Sequence, residues 1–159
     1  MKKLLMLMLL FAVTVGASAQ FEKGTKYVDT YLSGLGTSYN SSTGFRFNIG
    51  ADAGIFLEDS WMVKANFEID HTKYSDDFDL GLGARYYFNT NGIFLGAGAE
   101  YKHSEPNFND VLIPVEIGYA FFINHYITIQ PAAYYKMSLN NFSDGSTVGL
   151  KVALGFYFK

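Results

Sequence analysis

The sequence predicts an all-β protein, an eight-stranded antiparallel up-and-down β-barrel that spans a membrane. Three observations predict it. From Phe45 onward apolar and polar residues alternate with a period of two, the spacing that sends successive side chains to opposite faces of a strand. The polar face of that alternation is mostly glycine and single charges, whereas a soluble exterior is dense in Lys, Glu, Ser and Thr. Aromatic residues gather near the ends of the apolar runs, as they do at membrane interfaces.

The chain opens with an export address. Met1-Lys2-Lys3 is a basic start, Leu4 to Val15 is an apolar run, and Ala17-Ser18-Ala19 fits the small-x-small cleavage rule. The run is only 12 residues long, against about 20 needed to cross a bilayer as a helix. Residues 1–19 therefore read as a cleaved signal peptide and residues 20–159 as one β-barrel domain. No cysteine is present, which excludes disulfides, thiol chemistry and a lipid-modified cysteine, so membrane attachment has to come from the fold. Without Lys2 and Lys3 the chain carries ten basic residues against fifteen acidic ones and no basic run, which argues against a nucleic-acid partner.

The first strand is expected from Tyr27 to about Leu35, with Asp29 inward and Val28, Thr30 and Leu32 outward. The second, Phe45–Ile55, sets Phe45, Phe47, Ile49, Ala51 and Ala53 against Arg46, Asn48, Gly50 and Asp52. A turn at Glu58-Asp59-Ser60 leads to the third, Trp61–Asp70, in which Val63, Phe67 and Ile69 alternate with Lys64, Glu68 and Asp70. The fourth, Phe78–Phe88, puts Asp79, Gly81, Gly83 and Arg85 on the polar face and ends at Asn91-Gly92, a strong hairpin signal. Strands at Ile93–Lys102, Val111–Phe121, Ile127–Met137 and Val148–Phe158 follow the same rule. Pro114 and Pro131 fall inside the sixth and seventh; proline cannot donate to a ladder, so local bulges are expected there.

Alternation alone also fits a soluble sandwich or barrel with an apolar interior. The glycine-rich polar face and two aromatic girdles decide against it. Trp61, Tyr86, Phe88, Tyr119, Phe121, Phe156 and Phe158 form one girdle, and Phe45, Phe67, Phe78, Tyr101 and Tyr135 the other. Connections after the odd-numbered strands are expected to run seven to nine residues, and those after the even-numbered ones four or fewer.

The chain resembles the small eight-stranded outer-membrane β-barrel family that includes the transmembrane domain of outer-membrane protein A. The likeness is one of architecture over residues 20–159. Its most motif-like part is Lys151 to Phe158, which looks like the signal read by the barrel-assembly machinery, with Phe156 and Phe158 at its apolar and aromatic positions. Ala153 stands where glycine is usual, and Lys159 follows the terminal aromatic. The resemblance implies the outer membrane of a Gram-negative bacterium, both termini in the periplasm and the longer loops outside. It implies outer-membrane lipids and lipopolysaccharide as surroundings, and the barrel-assembly machinery and periplasmic chaperones as partners in biogenesis.

An eight-stranded barrel is just wide enough for its inward side chains to fill it. Lumen charges in so narrow a space have to find partners. Arg46, Asp52, Lys64, Glu68, Arg85, Glu100, Glu116, Lys136 and Lys151 are the expected network, together with Asp29, Asp70, Asp79 and Lys102. The function expected is that of an integral membrane barrel with a side-chain-plugged lumen and a structural or surface-interaction role. One alternative is a narrow gated channel or transporter for small solutes, gated by Glu68, Glu100, Glu116 and Lys151 at similar heights. Another is a lipid A-modifying enzyme using His71 beside Ser75-Asp76-Asp77 or His103 beside Ser104-Glu105. The pattern of a lipid A deacylase is missing, so those histidines read as loop residues, and no catalytic residue, cofactor or metal is expected. The loop aromatics Tyr39, Tyr74, Phe108 and Phe142 are expected to rest on the barrel rim.

Overall fold

The computed structural model describes residues 21–34, 48–72, 75–88, 91–104, 108–140 and 146–159. Eight antiparallel strands make up the wall: β1 (Lys26–Ser33), β2 (Asn48–Glu58), β3 (Trp61–Thr72), β4 (Ser75–Tyr87), β5 (Ile93–Ser104), β6 (Phe108–Tyr119), β7 (Ile127–Ser138) and β8 (Thr147–Phe158). After Ala120, β6 resumes as a two-residue piece, Phe121–Phe122, paired to β7. Each strand pairs with its neighbours in sequence, and β1 also pairs with β8, with Val28 opposite Phe156 and Ser33 opposite Lys151. The sheet closes on itself, so no strand of the described residues is left with a free edge.

The polarity of the two faces is the reverse of a soluble barrel. Outward positions hold Val28, Leu32, Ile49, Trp61, Phe67, Ile69, Leu80, Leu95, Ile117, Leu150, Phe156 and Phe158, and Leu82 is 71% exposed. Inward and buried positions hold Asp29, Asp52, Glu68, Asp79, Arg85, Glu100, Glu116 and Lys151. In water this arrangement would leave a continuous apolar belt unsatisfied; facing hydrocarbon it is what a spanning barrel requires. Aromatic neighbours on the outer surface pack across strands, Trp61 tilted against Tyr86 at 4.9 Å and Phe67 edge-to-face with Phe78 at 4.7 Å.

The hairpin turns follow local chemistry. Asn124 Oδ1 accepts from the backbone amides of Tyr126 and Ile127, each at 2.8 Å, closing the β6–β7 connection as an Asx turn. At the β2–β3 turn the register shifts between Phe56 and Glu58, and Ser60 takes a positive φ of 71°.

Two expectations about the connections are corrected. The third and fourth strands run on to Thr72 and back from Ser75, with His71 opposite Asp76, so only residues 73–74 link them. The fifth reaches Ser104 and the sixth begins at Phe108, leaving residues 105–107. Backbone pairing does not require an apolar face, so the ladder continues past the point where the hydrophobic alternation ends at Asp70 and Lys102. Of the connections expected to be long, those after the third and fifth strands are therefore short, while residues 35–47 after β1 lie outside the described residues.

The expected bulges at the prolines are also absent. The β5–β6 ladder is interrupted between Ala97–Val115 and Glu100–Leu112, and the β6–β7 ladder between Gly118–Ala132 and Phe121–Ile129. Both ladders resume in the same register, so no residue is inserted. Each gap lies beside a proline, which skips a rung because it has no N–H to donate.

Inward glycines make space for large inward side chains on the paired strand. A Cβ at Gly50 would meet the Tyr31 ring at 2.2 Å, at Gly96 the Glu116 carboxylate at 2.6 Å, and at Gly118 the Phe94 ring at 2.4 Å. Gly83 and Gly98 face each other across β4 and β5, and a Cβ on Gly98 would lie 2.5 Å from the Leu82 carbonyl. Backbone cannot swing aside as a side chain can. We expect Gly98→Ala to destabilise the barrel by about 1–3 kcal/mol, the range for overpacking. The temperature at which the folded band is lost in a heat-dependent gel-mobility assay measures it, and an unchanged temperature would mean that β4 and β5 can spread apart freely.

Candidate functional site

The lumen is organised in layers. At the short-turn end an aromatic plug fills it: Phe21, Tyr27, Phe56, Met62, Tyr87, Phe94 and Tyr157 are all buried and form one cluster, with Phe122 packed against it. Six of these come from inward positions at the ends of strands or just beyond. Phe21 comes from the segment before β1, and its ring stacks on Tyr87 at 4.3 Å.

Above the plug lies Arg85, 1% exposed. Its guanidinium donates to Glu116 Oε1 through Nε at 2.8 Å and lies 2.7 Å from the same oxygen through Nη2. Nη1 donates to Tyr87 Oη and Gln130 Oε1, each at 3.0 Å, and the cation sits 4.2 Å from the centre of the Phe94 ring. Lys64 bridges Asp52 at 2.7 Å and Glu116 at 3.1 Å, and Lys151 pairs with the other oxygen of Glu116. Glu116 is therefore shared by three cations. Asp29 accepts from the Asp52 amide at 3.0 Å and from the Tyr27 hydroxyl.

A second layer is centred on Lys136, which lies 2.9 Å from Glu100, 3.1 Å from Glu68 and 3.6 Å from Asp79. Tyr31 Oη donates to Glu68 at 2.9 Å, Asn48 Nδ2 to Glu68 at 3.0 Å, and Asn66 Nδ2 to Glu100 at 2.8 Å. Nearer the far mouth, Lys102 pairs with Asp77 at 3.1 Å. Between the two layers lies a cavity of about 30 Å³ that reaches Asp52, Lys64, Glu68, Glu100 and Lys136. That is room for no more than a couple of water molecules.

Of the residues singled out in the sequence, Asp52, Lys64, Arg85, Glu116 and Lys151 come together in the first layer, and Glu68, Glu100 and Lys136 in the second. Glu68, Glu100, Glu116 and Lys151 all line the small cavity, with Glu116 and Lys151 paired on its one side and Glu68 and Glu100 joined through Lys136 on the other. Arg46 lies outside the described residues, as do Phe45, Tyr39, Tyr74 and Phe142; of Asp70, His71 and Phe108 only the backbone is described. Phe156 and Phe158 face outward on β8, beside β1. His103 Nδ1 lies 2.8 Å from Asn109 Oδ1 on the outer surface, and His125 is in the β6–β7 turn. Among the described residues no group of three or more His, Asp or Glu side chains is arranged to hold a metal.

The aromatic plug was missed in the sequence, where the inward face reads as glycine and charge. Its signal was parity: Tyr87 follows Arg85, Phe94 precedes Gly96, Met62 precedes Lys64 and Tyr157 follows Gly155, each two residues along one face. Phe21 carries no such signal, since it precedes the first strand.

An apolar outer face, a closed antiparallel wall of eight strands and a lumen filled by paired charges define a transmembrane β-barrel. No family model matches the chain, and no curated protein matches it in sequence. Among solved structures it is similar to the N-terminal β-barrel domain of Pseudomonas aeruginosa OprF, with a TM-score of 0.67 at 14% identity, over 86% of this chain and 98% of that one. It is similar to Neisserial surface protein A, with a TM-score of 0.58 at 12% identity over 85% and 96% of the two chains. The outer membrane protein Ail of Yersinia pestis gives a TM-score of 0.57 at 11% identity over 86% and 100%. The fold is that of the small eight-stranded outer-membrane β-barrels.

The layered charges give a testable ordering. Removing the charge of Glu116 leaves Arg85 and Lys64 to share Asp52 and takes from Lys151 its paired carboxylate, so Glu116→Gln should destabilise the barrel by about 3–5 kcal/mol. The double variant Arg85→Met, Glu116→Leu should lose less than Glu116→Gln alone, because it removes the buried cation with its anion. Denaturant midpoints of the detergent-folded proteins measure both, and a double variant weaker than the single one would contradict the pairing.

Proposed function

We propose that this protein is an integral barrel of the Gram-negative outer membrane that contributes to envelope structure or surface interaction, with a lumen closed to solutes. The observation that carries this reading is the filled cross-section: an aromatic plug below and the Arg85–Glu116 layer directly above it. A diffusion path needs water through both, and the cavity between the charged layers is only about 30 Å³. The apolar belt and its aromatic girdles support insertion in a bilayer, and the fold likeness to outer-membrane barrels supports which bilayer.

In this reading residues 1–19 are removed on export, periplasmic chaperones carry the chain, and the barrel-assembly machinery reads the β8 end with Phe156 and Phe158. The ends of the chain and the tight β2–β3, β4–β5 and β6–β7 turns lie in the periplasm. The opposite mouth then faces lipopolysaccharide and the surroundings of the cell. The lipid A-modifying alternative draws no support from His103, whose described partner is an amide on the outer wall.

Conductance across planar bilayers tests the proposal, using purified protein whose heat-dependent gel mobility shows a folded barrel. We expect no discrete openings. Steady unitary currents that change in Glu116→Gln or Lys136→Met would replace this reading with the gated channel, since Lys136 and Lys64 each have a second carboxylate within reach to exchange to.

A further inference from the structure

We propose that residues Phe21–Gly24 form a hinged stopper that closes the short-turn mouth of the barrel and can leave it without breaking a strand–strand rung. The rest of the aromatic plug is carried by strands or their immediate extensions, so it moves only with the wall. Phe21 is the exception. It is 1% exposed although it lies on no strand. Its ring contacts Tyr87 at 4.3 Å, Phe122 at 5.6 Å, and Phe56 and Tyr157 at 6.0 Å. Those four rings belong to β2, β4, β8 and the extension of β6, which are brought around one ring only when the barrel is closed.

Gly24 is the pivot. Its φ is +85° and a Cβ there would meet nothing within 4 Å, so the position requires glycine for backbone conformation and not for space. That left-handed residue reverses the chain ahead of β1 and turns Phe21 back into the lumen. The tethers of the segment are few: the Ser60 amide donates to the Phe21 carbonyl at 2.7 Å, the Gly24 amide to the Phe56 carbonyl at 2.8 Å, the Lys23 amide to Asp59 Oδ1 at 2.9 Å, and the Thr25 amide to the Glu22 carbonyl at 3.1 Å across the turn. Two exposed ion pairs add to these, Lys23–Glu58 at 2.6 Å and Glu22–Lys159 at 2.5 Å. None of these is a rung between two strands. The second pair gives a role to Lys159, one of the two residues that depart from the assembly signal: it ties the end of β8 to the segment entering β1, across the closing seam.

The inference rests on the plugged-barrel reading, but its test does not use conductance, so the two can fail separately. The chain has no cysteine, and Ala120, which is buried in the same cluster, can be replaced by cysteine with little change in volume. The measurement is the rate at which a water-soluble maleimide labels Ala120→Cys in heat-modifiable barrels in lipid nanodiscs. With the parent stopper we expect slow labelling. Adding Phe21→Ala should raise the rate at least tenfold while the folded gel mobility persists. Gly24→Ala, whose Cβ would meet nothing within 4 Å but which strains the left-handed backbone, should raise it several-fold and provides the same comparison if Phe21→Ala does not fold. Equal rates with and without these substitutions, whether all fast or all slow, would overturn the stopper.

Discussion

A wall that faces hydrocarbon has to satisfy its backbone hydrogen bonds within itself, and here the pairing of β1 with β8 completes that requirement. Everything else in the molecule follows from the closed ring. An eight-strand circumference leaves a lumen only as wide as its own side chains. The apolar residues are committed to the outside, so the inside has to accept charge and neutralise it locally. The two proline gaps, one on each edge of β6, are tolerated because the register is held by the rungs on either side.

Charge in that confined space is held by sharing. Glu116 answers three cations and Lys136 three carboxylates, so each central group sits within 4 Å of several partners of opposite sign. Single pairs would leave lone pairs and ammonium protons unsatisfied, and a low dielectric makes that expensive. The inward glycines complete the arrangement by making room. Gly96 lies beneath Glu116 and Gly50 beneath Tyr31, so the long side chains can lie across the neighbouring strand instead of colliding at the axis.

The two ends of the lumen are closed by different chemistry. Toward the short turns the filling is aromatic, with Arg85 resting against the Phe94 ring at the boundary. Toward the other mouth it is ionic and amide-rich, from Asp52 and Lys64 up to Lys102 and Asp77. A barrel filled in this way has two unlike ends, an aromatic-stopped end at the short turns and a polar end opposite, joined by a wall whose outer surface carries no charge at mid-height on the described strands, where Ala53, Ala65, Leu82 and Ala97 stand.

The number of strands, their order and the face taken by the described strand residues were legible in the sequence. Those follow from a period of two and from the identity of the polar residues, and Arg85, Glu116 and Lys136 could be assigned to the lumen from parity alone. Tertiary structure decided everything that depends on register and stagger. Periodicity says which face a charge occupies but not its height, so the division into an Arg85 layer and a Lys136 layer was not legible. The continuation of β3 and β4 past Asp70 was hidden for a related reason: hydrophobic alternation marks where a strand meets lipid, while backbone pairing marks where it ends. Phe21 was the least legible of all, because its place in the lumen depends on rings from four elements that meet only after the sheet has closed.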